Sequence, residues 1–182
     1  RNVIFGYYPS LKRCGYDLGK RQNFITSLSE DNTGYVWNDS AQNSQKEKWF
    51  RPSDVTIGTD GAIYVADWYD PVVGGHQAED TVSYGRIYRI APKNKKLTVP
   101  VIDLNTTAGQ LLALKSPAIN VRSQGFEKLK QQGETIMESL LPLLDDDNRY
   151  VQARIIWLLS QLGAKGLSAV EKILDDPNEE YR

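Results

Sequence analysis

The chain has 182 residues, of which 40% are apolar and 25% are charged, and its formal net charge is -1. This balance is ordinary for a folded globular protein and argues against intrinsic disorder, while the interleaved charges argue against a nucleic-acid or anionic-membrane partner. No apolar run approaches the roughly 18 residues that a membrane helix needs, so we expect no membrane span in this segment. The single cysteine, Cys14, excludes an internal disulfide and a cysteine-based metal site, and we interpret it as a semi-buried thiol.

The first part of the chain shows the alternation of apolar and polar residues that is typical of β-strands. The predicted strands lie at residues 2–8, 16–26, 54–57, 62–66, 85–90 and 97–104. Thr59, Asp60 and Gly61 predict a tight turn between the third and fourth of these, and Pro100 places the last at a sheet edge. The last four strands would form one antiparallel meander, which is the unit of a β-propeller blade.

Two segments are expected to meet at one end of this meander. In a meander, the segment that enters the first strand and the loop that leaves the second lie at the same end of the sheet. That loop, residues 68–84, is much longer than the about 2 to 5 residues of an ordinary hairpin loop, and its side chains are typical of a binding surface. The candidate ligand-binding residues in the two segments are Trp49, Arg51, Asp67, Trp68, Asp70 and His76.

The cationic and aromatic candidates each have a structural alternative. Arg51 could bind a carboxylated cofactor or a sugar hydroxyl, or it could form an ion pair with Asp54 or Asp67. Trp49 and Trp68 could stack on a sugar ring, or they could pack between propeller blades. The sequence alone does not choose between these interpretations.

The acidic candidates and the histidine have alternatives too. Asp67, Asp70, Glu79 and Asp80 carry the oxygen atoms that Ca²⁺ prefers, but their spacing matches no EF-hand loop, and turn capping is the simpler role for the two aspartates. We therefore predict no metal site. His76, the only histidine, is either a solvent-exposed imidazole or a ligand or proton-transfer group.

The stretches WFRPSDV, DGAIYVADWYDP, GGH and GRIYRI resemble the propeller domain of the large bacterial membrane-bound-dehydrogenase-like proteins, relatives of sorbosone and soluble glucose dehydrogenases. The resemblance covers roughly residues 1–104, with Thr59 where the family usually has Pro. It implies a periplasmic or secreted protein whose substrate is a sugar or polyol. It also implies that the whole protein uses a quinone with Ca²⁺, or haem, whereas we expect no cofactor in this segment alone.

Family members commonly continue into HEAT-type helical repeats and often end in a domain with a CxxCH haem attachment motif. This chain has the first continuation and lacks the second. In quinone-dependent relatives the catalytic His comes from an earlier blade that has no counterpart here. That role is therefore not transferred to His76, and the catalytic residues stay unknown.

The second part of the chain repeats every 30 residues. Ser116, Asp146 and Asp176 fall in register, as do Gly133 and Gly163. The repeat predicts helices at residues 117–132, 134–144, 148–162 and 165–174, packed as two antiparallel pairs. Such pairs must stack to bury their apolar faces, which predicts a solenoid. The units are similar to HEAT repeats, and the family resemblance implies that they dock a protein partner. We interpret Arg122 and Arg182 as partners of loop aspartates along this stack.

These patterns predict an α+β chain of two domains. Residues 1–104 would be the C-terminal blade or blades of a β-propeller, and residues 105–182 a helical solenoid whose third repeat is truncated. Because the chain starts at Arg1 without an initiator Met and stops one turn into that repeat, we expect an internal piece of a larger protein.

Two functions fit this organisation. The first is part of a periplasmic sugar or polyol dehydrogenase, and the second is a non-catalytic scaffold that binds carbohydrate or protein. In either case we expect the isolated chain to be inactive, because a partial propeller cannot enclose a cofactor. We also expect it to self-associate through uncovered strands.

Overall fold

The computed structural model describes residues 3–12, 15–27, 50–68 and 84–177, which form an α+β protein as predicted. The chain divides into two compact units, one of Arg1–Thr56 with Ile63–Pro92 and one of Ile57–Ala62 with Lys93–Arg182. The strands are β1 (Val3–Gly6), β2 (Ser10–Lys12), β3 (Gly15–Asp17), β4 (Gln22–Thr26), β5 (Pro52–Ile57), β6 (Ile63–Asp67) and β7 (Arg86–Ile90). The described sheets are small and antiparallel, and none of them closes into a barrel.

The N-terminal strands form two short hairpin-like pairs. β1 pairs with β4, and β2 pairs with β3. The single strand predicted at residues 16–26 is therefore wrong. The chain turns at Gly19, whose φ of 64° favours glycine and whose amide donates to Asp17 Oδ1 at 3.0 Å. This turn lets β4 run back to β1 instead of extending β3.

The central sheet has the order β5-β6-β7. β6 and β7 are antiparallel, with Val65 opposite Tyr88 and Asp67 opposite Arg86. The side chain of Val65 is fully buried, and the Phe50 ring packs edge-on against Tyr88 with 5.9 Å between ring centroids. β5, β6 and β7 therefore correspond to the first three strands of the predicted meander.

The fourth strand predicted at residues 97–104 is wrong. This stretch is irregular, and Val99 and Val101 are largely exposed. Its end turns at Asp103, where Oδ1 accepts the Asn105 amide at 2.9 Å, and leads directly into a helix capped by Thr106. Local hydrogen bonding of the Asp and Thr side chains competes here with strand pairing.

The second unit, called the helical unit below, contains one helix in addition to those that the repeat predicts. Its elements are α1 (Thr107–Lys115), α2 (Ile119–Gln131), a 3₁₀ helix (Gly133–Ile136), α3 (Met137–Leu140), a second 3₁₀ helix (Leu141–Asp145), α4 (Arg149–Leu159) and α5 (Gly163–Ile173). α1 was not predicted because it lies outside the register of the repeat. It crosses α2 closely at Gly125, where an added Cβ would lie 2.7 Å from the Ala113 Cβ.

The helix predicted at residues 134–144 is broken into three short pieces. Pro142 lies in the first turn of the last piece and has no amide hydrogen to continue an α-helix. The other predicted helices exist with shifted ends, and no strand occurs among the described residues from Val121 to Leu174.

The helix starts differ from the prediction, although the 30-residue register persists. The residue types and positions of Ser116 and Asp146 predict N-caps, but the N-caps of α2 and α4 are Ala118 and Asn148. Instead, Ser116 Oγ accepts the Ala118 amide at 3.2 Å, and Asp146 Oδ1 accepts the Asn148 amide at 3.0 Å. The repeated side chains therefore hold the turn before each helix.

One apolar core runs through the helical unit. Its buried members are Leu114, Leu129, Ile136, Leu140, Val151, Ile155, Leu158, Leu159 and Leu162. Helices α1, α2, α3 and α4 and the first 3₁₀ helix all contribute, so the two repeats bury each other's apolar faces. Within the described ranges, no helix combines the length and apolar character that a membrane crossing requires.

Candidate functional site

The open end of the β5–β6 hairpin brings Arg51 and Trp68 together. The Trp68 amide donates to the Arg51 carbonyl at 3.0 Å, and the Arg51 amide donates to Asp67 Oδ1 at 2.8 Å. At the closed end of the hairpin, the Gly58 amide donates to the Ala62 carbonyl at 2.8 Å. Arg51 and Trp68 therefore lie at the same end, as the meander topology predicts, with the Asp60-Gly61 turn at the other.

Asp67 organises this end of the sheet. Its side chain is only 4% exposed, and its second oxygen, Oδ2, accepts the Tyr88 hydroxyl at 3.4 Å. A buried carboxylate needs such donors, because an unsatisfied charge in the interior is costly. The carboxylate joins the backbone before β5 to the side chain of β7, and so fixes the position of Arg51.

The side chains of Trp68 and Arg51 at this end are of the types that contact a sugar ring. Trp68 is 72% exposed and follows directly after the buried Asp67, while Arg51 is half-buried. An exposed indole can pack against the apolar face of a sugar, and a neighbouring guanidinium offers several N–H donors to hydroxyl or carboxylate oxygens. Trp49, Asp70, His76, Glu79 and Asp80 lie outside the described residues.

Both oxygens of Asp67 are engaged by protein donors. Oδ1 accepts the Arg51 amide and Oδ2 accepts the Tyr88 hydroxyl, whereas a Ca²⁺ site takes about 6 to 8 oxygen ligands. Among the described residues, no group of three or more His, Cys, Asp or Glu side chains could hold a metal ion.

The helical unit carries a groove that sequence analysis missed. It encloses about 300 Å³ between α2 and α4. Its lining residues are Leu114, Ile119, Arg122, Ser123, Phe126, Glu127, Arg154 and Trp157. The sequence does contain a signal for this groove. At the equivalent positions of the repeat, Trp157 aligns with Glu127 and Arg154 aligns with Gln124. The second repeat thus departs from the first at this surface.

Both arginines of the groove donate to main-chain carbonyls. Arg154 Nη1 lies 2.9 Å from the carbonyl oxygen of Leu114, and Arg122 Nη1 lies 3.3 Å from those of Ser116 and Pro117. Burial, and secondly the charge of Arg122, lower the pKa of Arg154 below its ordinary value. The two guanidinium groups therefore act on each other across one groove.

Our interpretation of Arg122 as the partner of a loop aspartate is wrong. The loop carboxylate of Asp146 pairs instead with Lys115, at 2.7 Å. Lys115 occupies the last turn of α1, the helix that the repeat did not predict, whereas Arg122 donates to the carbonyls of Ser116 and Pro117. Arg182 lies outside the described residues.

Comparison with known families gives one match. A family model described as a domain of unknown function (DUF7133) matches residues 30–94, about a third of the chain. No curated protein and no solved structure shows significant similarity to the chain. The matched segment contains the central sheet and all six candidate ligand-binding residues named from the sequence.

Proposed function

We propose that the sheet end around Arg51 and Trp68 binds a sugar or polyol, within a periplasmic protein related to the sugar and polyol dehydrogenases, and that the helical unit docks a protein partner. The observation that supports this best is the Asp67 carboxylate, which holds the Arg51 backbone at 2.8 Å beside the 72% exposed Trp68. The main chain at Arg51 is therefore held in place before a ligand arrives, which lowers the entropic cost of binding.

The residues have separate roles in this proposal. Trp68 supplies the flat apolar surface on which a sugar ring packs, and Arg51 supplies donors to its oxygens. Asp67 is a positioning residue, because its two oxygens already accept the Arg51 amide and the Tyr88 hydroxyl.

A non-catalytic carbohydrate- or protein-binding scaffold is the second candidate. One observation favours it: the buried carboxylate at the sheet end is occupied by protein donors, which leaves it poorly placed to accept a substrate proton. Under this alternative the sheet end binds carbohydrate without chemistry. The two candidates differ in turnover by the whole protein and agree on binding.

Calorimetric titration of the purified chain with glucose, sorbitol and glucuronate tests the binding proposal. We expect Trp68→Ala to weaken binding of all three probes, and Arg51→Gln to weaken glucuronate most, by about 10-fold or more, since a hydrogen bond to a charged group contributes about 1.5 to 3 kcal/mol. Arg89→Gln is the matched control, because Arg89 lies opposite Tyr64, toward the other end of the same sheet.

If the chain binds none of the three probes, the proposal is overturned. It is also overturned if Trp68→Ala binds them as tightly as the unmodified chain does. Oxidation of glucose or sorbitol with an added quinone and an electron-accepting dye separates the two candidates. We expect no turnover by this chain alone. Turnover above a buffer blank would overturn that expectation and favour the enzyme.

A further inference from the structure

We propose that the groove between α2 and α4 binds an acidic segment of a partner protein, in which a carboxylate stands next to an apolar or aromatic side chain. This inference deepens the docking role proposed above for the helical unit. It is independent of ligand binding at the sheet end.

The charge of the groove selects the partner. Its lining includes two arginines and one carboxylate, Glu127. Each guanidinium has five N–H donors, and the hydrogen bonds of Arg122 and Arg154 to main-chain carbonyls leave several of them available. A carboxylate placed between the two would relieve their mutual repulsion and accept paired hydrogen bonds.

The apolar lining selects the neighbouring side chain. Trp157 is 69% exposed and Ile119 is 61% exposed, and Phe126 and Leu114 lie deeper between the helices. Trp and Arg are enriched among the interface residues that contribute most of the binding energy between proteins. A cavity of about 300 Å³ accommodates a side chain of the partner rather than a folded element.

Comparison of equivalent positions in the two repeats distinguishes this surface from the core. Leu129 and Leu159 are equivalent, and both are fully buried, as stacking requires. Trp157 and Arg154 instead occupy positions where the preceding repeat has Glu127 and Gln124. Stacking does not require an exposed tryptophan, so its presence points to a contact made outside the unit.

The groove is also prepared for a ligand. Arg154 is held by the carbonyl of Leu114, at the last turn of α1, and Arg122 is held by two carbonyls before α2. Fixed arginines lose less conformational entropy on binding than free ones. A nucleic acid is a poor alternative, since the formal net charge of the chain is -1.

A displayed library of random peptides, selected on the full chain, tests the proposal. We expect enriched peptides to carry Asp or Glu next to Leu, Phe or Trp. Their affinity, measured by fluorescence anisotropy of synthetic copies, should fall about 10-fold or more in Arg154→Gln and in Trp157→Ala. Replacing the peptide carboxylate by its amide should have a similar effect, and added salt should weaken binding.

The same helix supplies matched controls. Arg149→Gln and Tyr150→Ala alter α4 outside the groove, and Tyr150 is 66% exposed, close to the 69% of Trp157. Both controls should bind as the unmodified chain does. Circular dichroism verifies that each variant is folded. Arg154→Gln removes the hydrogen bond to the Leu114 carbonyl and could unfold the chain; in that case Trp157→Ala alone tests the proposal.

Three outcomes would overturn the proposal: no enriched peptide, enriched peptides without acidic residues, or equal binding by Trp157→Ala. Two further measurements identify other occupants. Self-association that Trp157→Ala abolishes would assign the groove to a second copy of the chain, and Arg154-dependent binding to anionic lipid vesicles would assign it to a membrane surface. Glucose titration of the same variants tests the sheet-end proposal separately, because changes in the groove should leave glucose binding unaltered.

Discussion

The main-chain amide of Arg51 and the carboxylate of Asp67 are joined by a hydrogen bond of 2.8 Å at the open end of the β5–β6 hairpin. The carboxylate is buried, and it also accepts the Tyr88 hydroxyl. One side chain at the end of β6 therefore fixes the entry to β5 and a residue of β7. Any ligand that contacts Arg51 depends on this buried group.

Replacing Asp67 should loosen the entry to β5. In Asp67→Ala the Arg51 amide loses its acceptor, so we expect its hydrogen exchange to accelerate by about 10-fold or more, the scale of a lost charge-assisted hydrogen bond. Heteronuclear NMR measures this rate. Asp54→Ala is the control, because the exposed Asp54 accepts only the neighbouring Val55 amide. An unchanged Arg51 rate would contradict the assigned role.

Leu159 should be a major contributor to the stability of the helical unit. It is fully buried in the core, and Leu159→Ala should lower the free energy of unfolding by about 2 to 5 kcal/mol. Leu167→Ala, at a half-exposed position of α5, should cost less than about 0.5 kcal/mol. Urea unfolding followed by far-ultraviolet circular dichroism makes the comparison. Similar losses in both variants would show that the apolar face is wrongly assigned.

The crossing of α1 and α2 should not tolerate a side chain at Gly125. An added Cβ would lie 2.7 Å from the Ala113 Cβ and from the Gln110 carbonyl oxygen, so the helices must separate. We expect Gly125→Ala to cost about 1 to 3 kcal/mol despite the better helix propensity of Ala. Gln124→Ala, exposed on the same helix, is the control. A gain in stability for Gly125→Ala would mean that α1 does not pack there.

Acid should weaken the ion pair between Lys115 of α1 and Asp146 in the turn before α4. The hydrogen bond from Lys115, and next the Asn148 amide, hold the pKa of Asp146 below its ordinary value of 3.8. A carboxyl whose pKa is lower in the folded state contributes stability above its unfolded pKa and loses it as the pH falls through the folded pKa. Asp146→Asn should therefore be less stable than the unmodified chain at neutral pH, and the difference should shrink below pH 3.8.

Urea unfolding across this pH range measures the difference. Asp147→Asn is the control, since the neighbouring Asp147 is exposed and shows no such contact with Lys115. A difference between Asp146→Asn and the unmodified chain that stays constant down to the most acidic sample would contradict the assignment.

The strand unit should associate through its exposed apolar side chains. Ile87 on β7 is 76% exposed and Val55 on β5 is 50% exposed, and apolar residues on open strands favour contact with another copy. Light scattering should show a mass that increases with concentration, and Ile87→Lys should reduce this increase. Val101→Lys, at a 94% exposed position outside the strands, should not. A monomer at every accessible concentration would contradict the prediction.

Much of the fold could be predicted because local patterns carry it. The Asp60-Gly61 turn between two alternating stretches predicted the β5–β6 hairpin, and that connection alone places Arg51 beside Trp68. The 30-residue period aligns Leu129 with Leu159, and both are fully buried, whereas Leu167 and Leu174 on the last helical face are 50% and 61% exposed. In each case the deciding interaction lies within one turn or one periodic face, so the sequence displays it directly.

Tertiary contacts decided what the sequence left undetermined. Residues 97–104 alternate like a strand but run irregularly into α1, and α1 has no counterpart in the period, although it packs against α2 at Gly125. The pairing of Lys115 with Asp146, across 31 positions, and the groove lined by Arg122 and Arg154 form only where α1, α2 and α4 pack together. Such contacts depend on distance between elements, which a pattern along the chain does not encode. The sequence determined the α+β class and the hairpin that brings Arg51 beside Trp68, whereas the packing of the helices decided where Arg122 and Arg154 meet.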